Sequence, residues 1–304
     1  MHALLDLLQV ILPVFATLAL GRICRTRGIL SAEKIAGIRY AAVNLTLPAV
    51  SLITFAQADY SPRYLLVMIW IFLMCIIALS LGKIAQRLLK IPGKLMPFLC
   101  TAFEGGMLGY SLYPLIYGDL SPLAMLSLGQ IFFIYTVYKV RLSGTRSARA
   151  VLKEMARTPA LWTLTIGLLL GVTGLYRRME SSGLQAVFNK TVSFISAPTS
   201  FMILLCIGWD LDFQQIDWRK VGGTILARML IMALMLAATL ALNRLIFGGI
   251  IETGAALMLF ALPAPMLVSA FARDRSESGY IASTLSIMTL ITGALFVLLA
   301  IFKP

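Results

Sequence analysis

The chain has 304 residues, 60% of them hydrophobic and 13% charged, with a mean hydropathy of +0.90. Soluble domains average about 45–50% apolar and about 25% charged residues, which excludes that class. A formal net charge of +13 would raise nucleic acid as a partner, but these charges sit in short loops between apolar stretches, so none is expected.

In chain order, apolar stretches long enough to cross ~30 Å of hydrocarbon predict about ten transmembrane helices. They cover 5–24, 35–56, 64–82, 95–117, 122–138, 159–176, 187–209, 221–247, 252–272 and 279–302. The first residues, Met1 to Leu8, carry Asp6 and no basic segment, so the first span reads as an uncleaved helix. If the spans alternate, 19 of the 26 Lys and Arg residues fall in one set of loops and six in the other, with Arg228 inside span 8. Positive charge gathers on the cytoplasmic side, so both termini should face outward from the plasma (inner) membrane. The basic segment 139–158 reads as a cytoplasmic linker, partly an interfacial helix. Cys24, Cys75, Cys100 and Cys206 lie along apolar segments without paired spacing and read as small packing residues.

The two halves repeat. Pro13, Thr17, Gly21 and Gly28 match Pro159, Thr163, Gly167 and Gly174 at a constant offset of 146. Pro48 in span 2 meets Pro198 in span 7 at an offset of 150. Five spans per copy is an odd number, so the second copy enters the membrane from the opposite side. Residues 1–138 and 159–304 are therefore expected to be inverted five-helix repeats, a plan that recurs among secondary transporters. Gly167 and Gly171 form a small-residue packing face.

Span 4 contains Glu104, Gly105, Gly106, Gly109, Tyr110 and Ser111; span 9 contains Pro263, Pro265 and Ser269. These are the fourth spans of their halves. Clustered glycines weaken a helix, and each proline removes a backbone donor, so both spans should break near the midplane and expose N–H groups that attract an anion. Asn44 and Thr46 before Pro48, Ser196 and Thr199 around Pro198, and Ser111 and Ser269 at the breaks are candidate hydrogen-bonding partners of a ligand. Serine and threonine in spans more often bond their own helix backbone. An ionisable group inside a span points to function. Glu104 lies nine residues past Leu95 and Arg228 nine past Arg219, both ~13 Å into the membrane at ~1.5 Å per residue. They are candidates for an ion pair or for ion coupling. Asp210 and Asp212 end span 7 and read as solvated.

The order of features resembles the auxin efflux carrier family in its short bacterial form, related in fold to the bile acid:sodium symporters. The resemblance spans essentially the whole chain. It rests on Leu12-Pro13 with Gly21, Asn44-Leu45-Thr46-Leu47-Pro48, Gly106-Met107-Leu108-Gly109, and Ala282-Ser283-Thr284. It implies a scaffold of spans 1, 2, 6 and 7, a transport unit of spans 3–5 and 8–10, crossed broken helices in spans 4 and 9, and organic acid anions as substrates. The family usually has Asn at Glu104 and Pro at Ser111, so this chain departs from it at both.

The leading expectation is a carrier of small organic acid anions. The alternative is a sodium- or proton-coupled symporter or antiporter of the related fold, with Glu104 as ion ligand. No cofactor or metal is expected; Na⁺ and H⁺ are the candidate coupling ions, and a homodimer is a candidate assembly. An enzyme is not expected: the single histidine is His2, and no HExxH, GxSxG or GKS/GKT motif occurs. A channel or receptor would need no inverted repeat.

Overall fold

A computed structural model describes residues 2–144, 149, 153, 155–213, 217–272 and 274–302. The expected interfacial helix of the linker falls partly outside them, as do Arg146, Arg273 and Lys303. The secondary structure of the described residues is all helical, without strands. Eight helices have the length and apolar composition to cross a membrane: Leu7–Thr26, Ala32–Gln57, Arg63–Leu89, Ser121–Ser143, Leu184–Asp210, Trp218–Leu245, Thr253–Phe271 and Arg275–Phe302. This is a multi-pass membrane protein.

The two other predicted spans differ from a long helix for local reasons. Residues 95–117 are interrupted between α5 (Met96–Leu99) and a π-helical turn at Gly105–Gly109 that leads into α6 (Tyr110–Tyr117). Span 6 gives α9 (Pro159–Val172), only 14 residues long, because Gly174 takes a left-handed conformation (φ 67°) and ends the run. Conversely α4 (Arg63–Leu89) outruns its predicted end at residue 82, so that Lys83 and Arg87 ride on its last turns. The four cysteines are buried free thiols, as their apolar setting predicts. Asp210 and Asp212 are half-buried rather than solvated, and Ser286 Oγ accepts the N–H of Asp212 at 2.8 Å.

The chain folds into two compact units, and each draws on both halves of the sequence. The first comprises Met1–Pro62, Gly106–Met125 and Ser147–Trp209. Its helices are α1 (His2–Thr26), α2 (Ala32–Ala41), α3 (Leu47–Gln57), α6, α9, α10 (Leu175–Arg178), α11 (Leu184–Ser196) and α12 (Thr199–Asp210). Ser31 caps α2, its Oγ accepting the N–H of Lys34 at 3.3 Å. Between α2 and α3 the turn Ala42–Thr46 widens, and the N–H of Leu47 reaches back to the carbonyl of Ala42. Pro48 explains the widening: its ring would clash with a carbonyl four residues back, and an extra residue in the turn moves that carbonyl aside.

Glycine sets the packing of this unit. A side chain at Gly21 would strike the carbonyl of Leu205 on α12, and one at Gly208 would strike that of Leu18 on α1. On α9, a Cβ at Gly167 would sit 2.7 Å from Leu52 O, and one at Gly171 2.6 Å from Phe55 O, both on α3. The Gly167–Gly171 face thus packs as its spacing predicts.

The second unit comprises Arg63–Gly105, Leu126–Arg146 and Asp210–Pro304. It holds α4, α5, most of α7 (Ser121–Phe133), α8 (Lys139–Ser143), α13 (Trp218–Leu245), α14 (Thr253–Ala261), a 3₁₀ turn (Met266–Phe271) and α15 (Arg275–Phe302). Trp70 Nε1 on α4 donates to Thr239 Oγ1 on α13 at 2.9 Å. Asn243 closes the turn before α14 by a two-way bond with Ile251, at 2.8 and 2.9 Å.

Candidate functional site

The polar centre of the second unit lies where two interrupted segments meet. α5 stops at Leu99 and Cys100 to Glu104 are not helical; α14 stops at Ala261, followed by the non-helical residues Leu262 to Pro265, the first of them extended. The N–H of Glu104 donates to the carbonyl of Pro263 at 2.9 Å, tying the two interruptions together. The second falls at Pro263 and Pro265 as expected; the first falls at Cys100 to Glu104, just before the glycine cluster, which itself forms the π-helical turn Gly105–Gly109.

A helix end leaves its last carbonyls without intrahelical partners, and in an apolar interior each must find a donor. Arg228, on α13 and only 4% exposed, supplies them. Its Nη1 donates to Leu99 O at 2.9 Å and Thr101 O at 3.4 Å, and its Nη2 to Ala102 O at 2.9 Å and Leu262 O at 2.8 Å. One guanidinium therefore closes the carbonyl ends of α5 and α14 together. Its planar fork suits this work, and the face of Phe103 lies 5.9 Å from the guanidinium carbon. Ala102 is held with φ 54°, a left-handed conformation that a residue with a side chain adopts only under constraint, and its carbonyl is one of those held by Arg228.

Glu104 works on the opposite kind of helix end. Its carboxylate, in a residue 9% exposed, accepts the N–H of Met266 at 2.6 Å. Met266 opens the 3₁₀ turn, so the carboxylate caps a helix start, where a negative charge is favoured. The sequence offers Glu104 and Arg228 as an ion pair or as ion-coupling groups. In the structure Arg228 serves carbonyls of both interrupted segments, and the Glu104 carboxylate an N–H where one of them resumes.

Gln130 on α7 is a further member that the sequence reading passed over. It is 2% exposed and donates through Nε2 to Phe103 O at 2.8 Å, while its Oε1 has no partner among the described residues. A Cβ on Gly105 would lie 3.1 Å from that Nε2, which explains a glycine there. The usable signal was a lone amide in the apolar run Ser121–Phe133. Thr101 is likewise drawn in, donating to Cys75 O at 2.7 Å.

The other predicted ligand contacts divide between the units. Pro263, Pro265, Ser269, Gly105, Glu104 and Arg228 belong to the second; Asn44, Thr46, Pro48, Gly106, Gly109, Tyr110, Ser111, Ser196 and Thr199 belong to the first. Most of the hydroxyls are engaged locally. Thr46 donates to Ala42 O, Ser111 to Met107 O, Ser196 to Ser193 O, Thr199 to Ser196 O and Ser269 to Met266 O, at 2.6 to 3.2 Å. Asn44 Nδ2 donates to Tyr40 O at 3.0 Å. A hydroxyl that has given its proton to a carbonyl can only accept, so as placed these groups offer acceptors rather than donors.

No protein-family model and no curated protein matches this chain. The functional reading therefore stands on the site itself.

Proposed function

We propose that the protein is a secondary-active carrier of small organic acid anions, moving them across the plasma membrane by alternating access. The observation that carries this reading is the meeting of two interrupted helical segments around a buried carboxylate and a buried guanidinium. Interrupted helices with free backbone groups in the apolar layer are how transporters build a polar site there. The Gly105–Gly109 turn supplies a helix start for the negative end of the substrate.

The inverted repeat is supported by a pair of contacts inside the first unit. Gly21 on span 1 meets Leu205 on span 7, and its repeat mate Gly167 on span 6 meets Leu52 on span 2. Exchanging the halves turns the span 1–span 7 pair into the span 6–span 2 pair, as a two-fold repeat requires, with the contacting carbonyls three residues out of register at the offset of 150. On this reading α9 and the segment Met96–Tyr117 also cross the bilayer, giving ten crossings with both termini outside. The first unit would be the scaffold and the second the moving part, in line with the resemblance to auxin efflux carriers.

Counterflow in proteoliposomes tests the carrier. Labelled dicarboxylates or other weak acids should exchange faster when unlabelled acid is present on the far side, and a channel-like flux without such acceleration overturns the reading. A second reading, with Glu104 as the residue that couples transport to Na⁺ or H⁺, is favoured by its position where the two segments meet. Glu104→Gln should then abolish the dependence of exchange on the coupling-ion gradient; an unchanged dependence removes Glu104 from that role.

A further inference from the structure

Away from this site, the second unit carries an open concavity of about 820 Å³ lined by Lys83, Arg87, Lys94 and Arg141. The cations come from three segments: Lys83 and Arg87 lie one turn apart on α4, Lys94 follows α4 in the loop, and Arg141 is on α8. The loop is pinned. Gln86 Nε2 donates to Ile91 O at 3.2 Å and to Gly93 O at 2.6 Å, and Gly93 takes φ 95°. Among the described residues no carboxylate lines the trough; Asp274 and Glu277 line the adjoining cavity, which shares Gly93, Lys94 and Arg141 with it, and Glu277 Oε1 would lie 3.3 Å from a Cβ on Gly93. None of the four cations has an acidic partner among the described residues.

A general excess of Lys and Arg on one membrane face accounts for basic loops. It does not account for four cations from three segments gathered in one concavity around a loop fastened by a side chain, with their described carboxylate neighbours, Asp274 and Glu277, only on the side of Lys94 and Arg141. Like charges held together repel, and an anion with several acceptor oxygens relieves that repulsion while satisfying the donors. On the same last turns of α4, Ile84 and Leu88 are large apolar side chains left exposed. A multiply accepting anion beside exposed hydrocarbon at the end of a membrane helix is the chemistry of a phospholipid headgroup.

We propose that the trough formed by Lys83, Arg87, Lys94 and Arg141 binds the phosphate headgroup of an anionic phospholipid, with the acyl chains along Ile84 and Leu88.

The test compares the melting temperature of the purified full-length protein in nanodiscs of phosphatidylcholine alone and of phosphatidylcholine with phosphatidylglycerol. A bound lipid stabilises the folded state, and a rise of about 3 °C or more is expected with the anionic lipid. The quadruple variant K83Q/R87Q/K94Q/R141Q should lose most of that rise and melt with the wild type in phosphatidylcholine alone. If it is unstable there, the double variant K94Q/R141Q, changed only at exposed positions, should lose about half of the rise. A matched variant, R27Q/K34Q/R157Q/R219Q, removes as many charges elsewhere and should keep it. Equal melting in both lipids, equal loss in the matched variant, or a rise retained when the trough is neutralised overturns the proposal. So does an equal rise from inorganic phosphate added to phosphatidylcholine nanodiscs, which would assign the trough to a soluble anion.

Discussion

The two units solve the same problem in different ways. In an apolar environment every backbone polar group needs a partner inside the protein. The first unit widens a turn at Ala42–Thr46, breaks only at short turns such as Thr173–Gly174 and Ala197–Pro198, and joins its helices through glycines that bring backbones into contact. The second unit interrupts its helices and hands the exposed carbonyls and N–H groups to Arg228, Gln130 and Glu104. Glycine packing serves both units, since a side chain at Gly129 on α7 would strike the carbonyl of Met68 on α4; the second adds buried charge and amide groups, which the described residues of the first lack. Loss of a buried polar side chain should therefore cost more in the second unit than in the first.

The largest effect should come from Arg228. Arg228→Leu leaves four buried carbonyls without their donor and should lower stability by about 3–5 kcal/mol, read as thermal or denaturant unfolding in detergent. Arg228→Lys, which has no planar fork, should recover only part of this. In the first unit the damaging change is added bulk. Gly171→Leu, with Phe55 O 2.6 Å from the new Cβ, should cost about 1–3 kcal/mol in the same assay. If Gly171→Leu proves harmless while Arg228→Leu unfolds the protein, the account of packing in the first unit is wrong.

Glu104 separates charge from hydrogen bonding. Glu104→Gln keeps an acceptor for the N–H of Met266 and should change stability by less than about 1 kcal/mol, whereas Glu104→Ala orphans that N–H and should cost about 1–3 kcal/mol. Equal losses in the two variants would show that the cap is unimportant.

The smallest effect belongs to Asp217, outside the membrane layer. It caps α13, its Oδ1 accepting the N–H of Lys220 at 3.2 Å and its Oδ2 lying 3.0 Å from Lys220 Nζ. Hydrogen bonding from the Lys220 side chain, and next from its backbone N–H, lowers the carboxyl pKa below its ordinary 3.8. The stabilisation is therefore fully present at neutral pH and is lost only as the pH falls below the ordinary value and through the folded one. Asp217→Asn retains a capping side chain and should melt close to the wild type at neutral pH, while losing this acid-dependent increment. Melting curves between about pH 5 and about pH 3 measure it.

Much of this was readable from the residues. Apolar runs long enough to span a bilayer located the long helices because length against hydrocarbon thickness is a one-dimensional criterion. Pro263 and Pro265 marked the second interruption because proline acts on the backbone it belongs to, whereas Gly105, Gly106 and Gly109 pointed only near the first, which falls at Cys100 to Glu104. What could not be read was where side chains end. Arg228 signalled burial, but composition carries no information on whether a guanidinium meets a carboxylate or four carbonyls. Gln130 was hidden for the same reason. Helix continuity past Gly82 was missed because hydropathy falls at Lys83 although the helix runs on to Leu89.

The shortness of α9 has a consequence for the surrounding lipid. Fourteen residues rise about 21 Å, well under the ~30 Å of a typical hydrocarbon layer. On the proposed ten-crossing topology, Trp162, Ile166, Leu169 and Val172, all exposed on this helix, would face acyl chains, and the bilayer around them would thin at a fraction of a kcal/mol for each ångström of mismatch. On that topology a thinner membrane would remove the penalty, and bilayer thickness would act on stability through a single glycine-terminated helix.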